Sequence, residues 1–159
     1  MVKKQQILKE IRDRMFNITR DNGYFHDIKK VEISRQEIFQ STEVPAINVH
    51  YRSDDPNFDN YGSGERLMRI MVGGFSTTNK KDLDAAEITF QLEEDIIMSL
   101  NRSNDLPQKT SIPSICLGGI VKEITNHSST PINQGRLSPF IGVLIEFEVR
   151  YLLDGETLS

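Results

Sequence analysis

The chain contains very little cysteine and no tryptophan: Cys116 is the single cysteine among 159 residues, and aromatic residues make up 8%. One cysteine cannot form an intrachain disulfide or a thiolate metal cluster, so we expect burial to stabilise the fold and the protein to suit a reducing compartment. Cys116 lies between Ile115 and Leu117. Because apolar surroundings disfavour the thiolate, this position indicates a small core residue.

Long apolar runs and an excess of positive charge are also missing. No run of about 18 apolar residues occurs, so we expect no membrane span, and no apolar segment of a signal peptide follows the first lysines. The formal net charge of -4 gives no positive field for specific nucleic-acid binding or for an anionic membrane. With 37% hydrophobic and 26% charged residues, residues 1–159 are predicted to form a single globular domain.

Sequence motifs of the common catalytic and cofactor sites are not found. The glycines at 62–64 and 118–119 lack the spacing of a dinucleotide or phosphate loop, and no nucleophile elbow occurs. The histidines, His26, His50 and His127, lie far apart in the sequence, which favours surface or strand positions over metal ligation. We therefore expect no catalytic residues, no cofactor and no metal, and predict that the protein is not an enzyme.

Residues 54–62 come nearest to a metal motif. Asp55, Asn57 and Asp59 alternate as the first three oxygen ligands of a calcium loop do. However, an asparagine holds the position that needs glycine, and Arg66 holds the place of the closing glutamate. A cation in place of the strongest ligand opposes calcium binding, so the segment is interpreted as a solvated acidic loop.

Apolar periodicity predicts two helices and five strands. Helical spacing covers residues 4–20 and 81–100. Alternating or continuous apolar runs predict strands at residues 31–33, 44–51, 66–75, 115–124 and Phe140–Leu152. This order predicts an α+β fold, with a mostly antiparallel sheet of about five strands and two helices packed on one face.

The second predicted helix carries an unusually wide apolar arc. One stripe consists of Ala85, Ile88, Leu92, Ile96 and Leu100, and a second of Leu83, Ala86, Phe90 and Ile97. We favour burial between the sheet and the first helix, and the alternative is that part of the arc meets a neighbouring subunit. Glu93 is expected to point into the arc, either towards an interface ion pair or outward along its own stem.

Three polar segments, residues 53–65, 101–113 and 126–139, are predicted to be long loops. Compact domains usually connect their elements in about 4 to 6 residues, and longer loops are often binding loops. Three such loops in a small domain indicate contacts with other proteins, and idle surface loops are the alternative.

The order of the predicted elements resembles one known family. The features that carry the likeness are the helix ending before residues 23–24 (Gly-Tyr), the strand at 44–49 (Val-Pro-Ala-Ile-Asn-Val), the strand at 66–72, the long helix after a Gly/Ser/Thr turn, and the final strand ending at 148–151 (Glu-Val-Arg-Tyr). Over almost its whole length the chain resembles the tail-terminator (tail-completion) proteins of long-tailed bacteriophages.

This resemblance implies a structural virion protein that forms a ring, typically a hexamer, on the last ring of the tail tube. The ring would end tube polymerisation and provide the head-tail joining surface. Its partners would be copies of itself, the tail tube protein and the head-side connector or neck protein, with DNA passing through without specific binding. The protein would be assembled in the host cytoplasm and reside in the virion tail.

With such a role, the 53–65 and 126–139 loops are expected to supply the contacts. The predicted polar contacts are Asp54, Asp55, Asp59, Asn133 and Arg136, with Tyr61 as an aromatic anchor. Three alternatives remain open at this point. The first is a head-completion or neck protein that closes the connector, and the second is a small non-enzymatic protein-binding domain that acts through its sheet edge. The third is an unrecognised enzyme, which would require a cleft with perturbed ionisable groups.

Overall fold

The computed structural model describes residues 2–56, 64–77, 82–101, 117, 120–132 and 140–153, without the side chains of residues 56 and 82–84. The two helices are α1 (Lys3–Phe16) and α2 (Asp82–Asn101). The five strands are β1 (Lys30–Ile33), β2 (Ala46–Pro56), β3 (Glu65–Thr77), β4 (Glu123–Ile132) and β5 (Phe140–Leu152).

All five strands form one sheet with the order β1-β2-β3-β5-β4. The short β1 runs parallel to β2, and every other neighbouring pair is antiparallel. Strands β3 and β5 are paired along their full length, from Glu65 opposite Leu152 to Thr77 opposite Phe140. The prediction of an α+β fold with a mostly antiparallel five-stranded sheet and two helices is confirmed.

Both helices lie on the same face of this sheet. Helix α1 contacts β1 and β2, α2 contacts β3, β5 and β4, and the helices touch each other. Their buried stripes meet the inward residues of the strands in one core, to which α1 contributes Ile7, Ile11 and Met15 and α2 contributes Leu92, Ile96 and Leu100. Burial of these stripes is the main contribution to the packing of the two helices on the sheet.

The wide apolar arc of α2 is buried only in part. Its first stripe packs into the core as predicted, with Ile88 partly buried at its margin. In the second stripe Ile97 is partly buried, whereas the Phe90 side chain is 66% exposed. The sheet and α1 therefore cover one side of α2 and leave an aromatic side chain on the outer surface.

Helix α1 ends at Phe16, four residues before the predicted end. A single 3-10 turn, Arg20–Asn22, follows it, and the Asn22 backbone N–H donates a hydrogen bond to the Thr19 side chain. Gly23 then adopts the left-handed conformation with φ 91°. This left-handed glycine closes the 3-10 turn and not helix α1 itself.

Two of the predicted loops are partly strand, and one predicted strand is displaced. Strand β2 continues to Pro56 and β3 begins at Glu65, while β4 covers Glu123–Ile132. The predicted strand at 115–124 is therefore wrong over most of the described part, because Leu117 lies in a helical turn and the strand starts at Glu123. Pairing with β5 supplies the order that the polar sequence of β4 does not indicate by itself.

A second, smaller core lies on the opposite face of the sheet, which is called the helix-free face below. It consists of Phe39, Val44 and Ala46, with Phe75 and Phe140 packed against it. The Phe39 and Phe75 rings are tilted against each other with centroids 5.7 Å apart. The segment after β1 therefore folds back across one end of the helix-free face.

Candidate functional site

The helix-free face holds a pocket beside this second core. Its volume is about 220 Å³. The lining consists of Arg35, Gln36, Glu37, Ile38, Phe39, Asn48, His50, Phe75 and Phe140. These residues come from the segment after β1 and from β2, β3 and β5, so the pocket depends on the pairing of these three strands.

Asn48 fixes the segment after β1 onto the sheet. Its side chain is buried on β2, and its carbonyl oxygen accepts the Arg35 backbone N–H at 3.0 Å. Its amide nitrogen donates to the Arg35 carbonyl at 2.8 Å and lies 2.8 Å from His50 Nε2. Because the two backbone bonds set the orientation of the amide, His50 Nε2 must act as an acceptor, which places the proton of the neutral ring on Nδ1.

Arg35 forms the charged wall of the pocket. Its guanidinium lies 4.4 Å from the Phe39 ring centroid and donates to both Glu43 carboxylate oxygens, at 2.9 and 3.0 Å. Lys30 adds a third donor to Glu43 at 2.9 Å. A paired planar cation stacked on an aromatic ring gives this wall a defined position.

The Glu43 carboxyl makes this wall sensitive to acid. Hydrogen bonds from Arg35, from the Gln40 backbone and from Lys30 lower the pKa of Glu43 from 4.5 to about 2. A lowered folded-state pKa stabilises the protein above the unfolded value, and the contribution is lost as pH falls through the folded value.

We expect Glu43→Gln to reduce the pH dependence of stability between about pH 4.5 and 2, because the glutamine has no proton to bind. The measurement is the urea midpoint of wild type and variant at several pH values in this range. Equal slopes for the two proteins would contradict the assignment.

In the apolar part of the pocket, the ring of Phe75 forms the floor and an exposed isoleucine forms the rim. The Phe75 ring folds back over Gly73, so that a Cβ atom at Gly73 would lie 2.9 Å from the ring edge. At the rim, the Ile38 side chain is 66% exposed. A cavity of this size with an aromatic floor, a cation and a polar amide can receive one large apolar side chain of a partner protein.

Sequence reasoning missed this pocket, although part of its signal was present. Ile47 and Val49 belong to the core on the helix side of β2, and the alternation of a strand places Asn48 and His50 on the other face. The contacts of Arg35 with β2 and of Phe39 with β3 are tertiary contacts, which no local sequence pattern predicts.

Asp54, predicted as a surface contact in a loop, is instead buried in β2. Its side chain is 3% exposed, and one carboxylate oxygen accepts from Lys4 at 2.9 Å, Arg66 at 3.0 Å and Tyr151 at 2.9 Å. The prediction that Asp54 lies in a loop is therefore wrong, because the residue belongs to β2 and its side chain faces the helix layer. The cause is the β-bulge between Tyr51 and Ser53, which turns Asp54 to the helix side.

The Asp54 cluster joins α1 to three strands. Burial alone would raise the pKa of the Asp54 carboxyl, but hydrogen bonds from Lys4, Tyr151 and Arg66 hold it below its usual value. Burial, together with the hydrogen bond to Asp54, raises the pKa of the Tyr151 hydroxyl, which therefore remains a proton donor at neutral pH. This set of contacts is a structural anchor.

The other predicted contact residues divide into two groups. Asp55 is exposed near the end of β2, with its carboxylate 3.8 Å from Arg69, which also lies 3.5 Å from Glu148. Asp55 is thus available to a partner on the helix-free face. The remaining four, Asp59, Tyr61, Asn133 and Arg136, lie outside the residues that the structure describes, and their roles stay predictions.

A second buried acid links the ends of three strands. Glu65 is almost fully buried and lies 3.1 Å from Arg150 and 3.3 Å from Lys122. Arg150 also pairs with Glu123 at 2.9 Å. These ion pairs stabilise the end of the sheet at which Asp55 lies.

The inward acid of α2 is Asp95 and not Glu93, which corrects the expectation from the apolar arc. Asp95 is buried and accepts the backbone N–H groups of Phe25 and His26 at 3.0 Å each. The His26 ring nitrogen Nδ1 lies 3.0 Å from the same carboxylate. The contact ties the segment before β1 to α2, and His26 is buried there.

Among the described residues, no group of three or more histidine, cysteine, aspartate or glutamate side chains is arranged to hold a metal ion. No helix in the described part of the chain is long and apolar enough to cross a membrane.

Comparison with models of known protein families finds no match to this chain. Comparison with curated protein sequences also finds no match.

Proposed function

We propose that this protein is a structural subunit that forms a ring at the end of a phage tail tube, stops tube growth and provides the head-tail joining surface. Two lines of support lead to this role. One is the resemblance in element order to the tail-terminator family, and the other is the presence of two unlike flanks on one rigid sheet.

The two flanks are the observation that carries the proposal. In the part of the chain that the structure describes, β1 and β4 each pair with one strand only. Strand β1 offers four residues in a parallel arrangement, whereas β4 offers ten. A closed ring requires head-to-tail contacts between two different surfaces of each subunit, and unlike flanks provide them.

Strand β4 has features that restrict indiscriminate edge pairing. Its side chains are mostly exposed and polar, a β-bulge lies between Asn126 and Ser128, and Pro131 cannot donate to a ladder. Such an edge favours a specific neighbour over open-ended association. This property suits a subunit that must close a ring and not extend a fibre.

The helix-free face supports contacts beyond the ring. The pocket at one end can accept an apolar side chain, while Asp55, Arg69 and Glu148 near the other end offer charges to a polar surface. In the proposed ring these features would be repeated in every subunit and would meet repeated copies of a partner in the tail tube or the connector. The proposed role is structural and requires no catalytic step.

The test is a tube-length assay with purified tail tube protein, read by negative-stain electron microscopy. Addition of the protein is expected to arrest elongation and leave a density on one tube end. Continued elongation in the presence of an excess of folded protein would overturn the proposal. The same assay with purified connector distinguishes a neck protein, which would bind the connector and leave tube growth unchanged.

The variant Ile38→Asp places a charge at the exposed rim of the pocket and is expected to weaken capping without unfolding the protein, because Ile38 is not buried. Gln5→Asp is the matched control, since it adds the same charge at an exposed position of α1. Equal capping by both variants would remove the pocket from the contact surface.

A further inference from the structure

The two helices carry opposite charge. Helix α2 contains six carboxylates and no lysine or arginine; the six are Asp82, Asp84, Glu87, Glu93, Glu94 and Asp95. Helix α1 contains five basic residues, Lys3, Lys4, Lys9, Arg12 and Arg14, against Glu10 and Asp13. This division lies within one layer, because both helices pack on the same face of the sheet.

The outward surface of α2 combines this charge with an exposed aromatic ring. Glu87, Phe90 and Glu94 are all exposed and follow each other at intervals of three and four residues. At 3.6 residues per turn they fall within an arc of about 60°. These three residues are called the acidic stripe.

The outward surface of α1 has the complementary pattern. Lys9, Arg12 and Phe16 are again spaced by three and four residues and fall within the same arc of about 60°. Lys9 is exposed, Phe16 is 56% exposed, and Arg12 lies 3.5 Å from the neighbouring exposed Asp13. These three residues are called the basic stripe.

We propose that the outer surface of the helix layer is a self-association surface, and that its occupant is a second copy of this chain in a two-fold dimer. Both stripes lie opposite the buried sides of their helices, so both point away from the sheet. When two copies face each other across a two-fold axis, the basic stripe of each meets the acidic stripe of the other. Every contact is then made twice, as an isologous interface requires.

Charge complementarity identifies the occupant. An acidic helix with a central phenylalanine needs a partner with cations around an apolar surface, and α1 of another copy has this chemistry. Four exposed aromatic rings, Phe16 and Phe90 of each copy, would be removed from water in each dimer, while the charges would set the relative orientation. The surface acts independently of the proposed tail role.

The expected affinity follows from the size of the helix layer. Helices of 14 and 20 residues are about 21 and 30 Å long, and at a width of about 10 Å they present roughly 500 Å² per partner. A stable interface usually buries about 800 Å² per partner. The dimer is therefore expected to be weak, with a Kd on the order of ten to a hundred micromolar, and to dissociate as salt screens the charges.

A charge-exchange experiment tests the pairing. One variant carries Glu87→Lys and Glu94→Lys, and the other carries Lys9→Glu and Arg12→Glu. Each alone is expected to be monomeric by sedimentation velocity, with at least about tenfold weaker self-association than wild type, because like charges face each other. Mixed in equal amounts, they are expected to form a heterodimer, since one now has two basic stripes and the other two acidic stripes.

The matched control carries Glu37→Lys and Asp55→Lys. It makes the same charge change as the variant with Glu87→Lys and Glu94→Lys, but at exposed positions on the helix-free side. It is expected to dimerise like wild type. Circular dichroism and melting temperature verify that all variants are folded.

Three results would each overturn this proposal. They are a wild-type protein that stays monomeric to about 200 µM at about 50 mM salt, charge-reversed variants that associate as wild type does, and a mixture that forms no heterodimer. None of them bears on tube capping, which is measured with tail tube. Failure of the dimer and failure of the tail role are therefore distinguishable.

Discussion

Replacement of Asp54 by alanine is expected to lower the free energy of unfolding by about 3 kcal/mol. The Asp54 carboxylate is buried and accepts from Lys4, Arg66 and Tyr151. Alanine would leave the buried Tyr151 hydroxyl and the inward-facing cations without their acceptor. Lys4 and Arg66 are partly exposed and can turn towards water, which keeps the loss at the lower end of the range for a broken buried pair.

The measurement is urea denaturation of wild type, Asp54→Ala and Asp55→Ala. Asp55 is the control because its carboxylate is more than half exposed and lies 3.8 Å from Arg69, so its replacement is expected to cost less than about 0.5 kcal/mol. Similar costs for the two neighbouring aspartates would show that the Asp54 cluster does not anchor α1 to the sheet.

Replacement of Gly142 by alanine is expected to destabilise the protein by about 3 kcal/mol or more, which corresponds to a melting temperature lower by roughly 6 to 12 °C. A Cβ atom at Gly142 would lie 2.2 Å from the Gly74 carbonyl oxygen, a backbone atom of the paired strand. Relief requires β3 and β5 to separate, and these are the longest strands of the sheet and lie in its interior.

Gly73→Ala is the matched control in the same strand pair. Its Cβ atom would lie 2.9 Å from the Phe75 ring and 3.2 Å from the end of the Leu144 side chain, and both can move. We expect a loss of about 1 kcal/mol. The measurement is the melting temperature of each variant relative to wild type. A Gly142→Ala protein as stable as Gly73→Ala would contradict the close approach of β3 and β5 at Gly142.

Periodicity was sufficient to predict most of the fold. The stripes of α1 and α2 and the alternation in β5 follow directly from the repeat of each element, because buried faces need apolar residues. Strand β4 could not be predicted in this way. It lies at the edge, exposes most of its side chains and owes its conformation to pairing with β5.

The candidate site was harder to predict than the fold because its residues are brought together by irregular features. A β-bulge turns Asp54 away from the surface, and two backbone bonds from one asparagine bring Arg35 over β2. Neither feature has a period that a sequence pattern can reveal. For the wide apolar arc of α2, the sequence alone left two interpretations, burial within the fold or contact with a neighbouring subunit. Phe90 belongs to the part of this arc that the described fold leaves exposed.

We propose that each subunit offers unlike flanks to its own copies and closes a ring on the tail tube, and native mass spectrometry of the protein with and without tail tube tests this proposal. We expect a closed oligomer of defined mass, typically a hexamer, in the sample that contains tube. Subunits that remain monomers or two-fold dimers in the presence of tube, with no tube-bound ring, would contradict it.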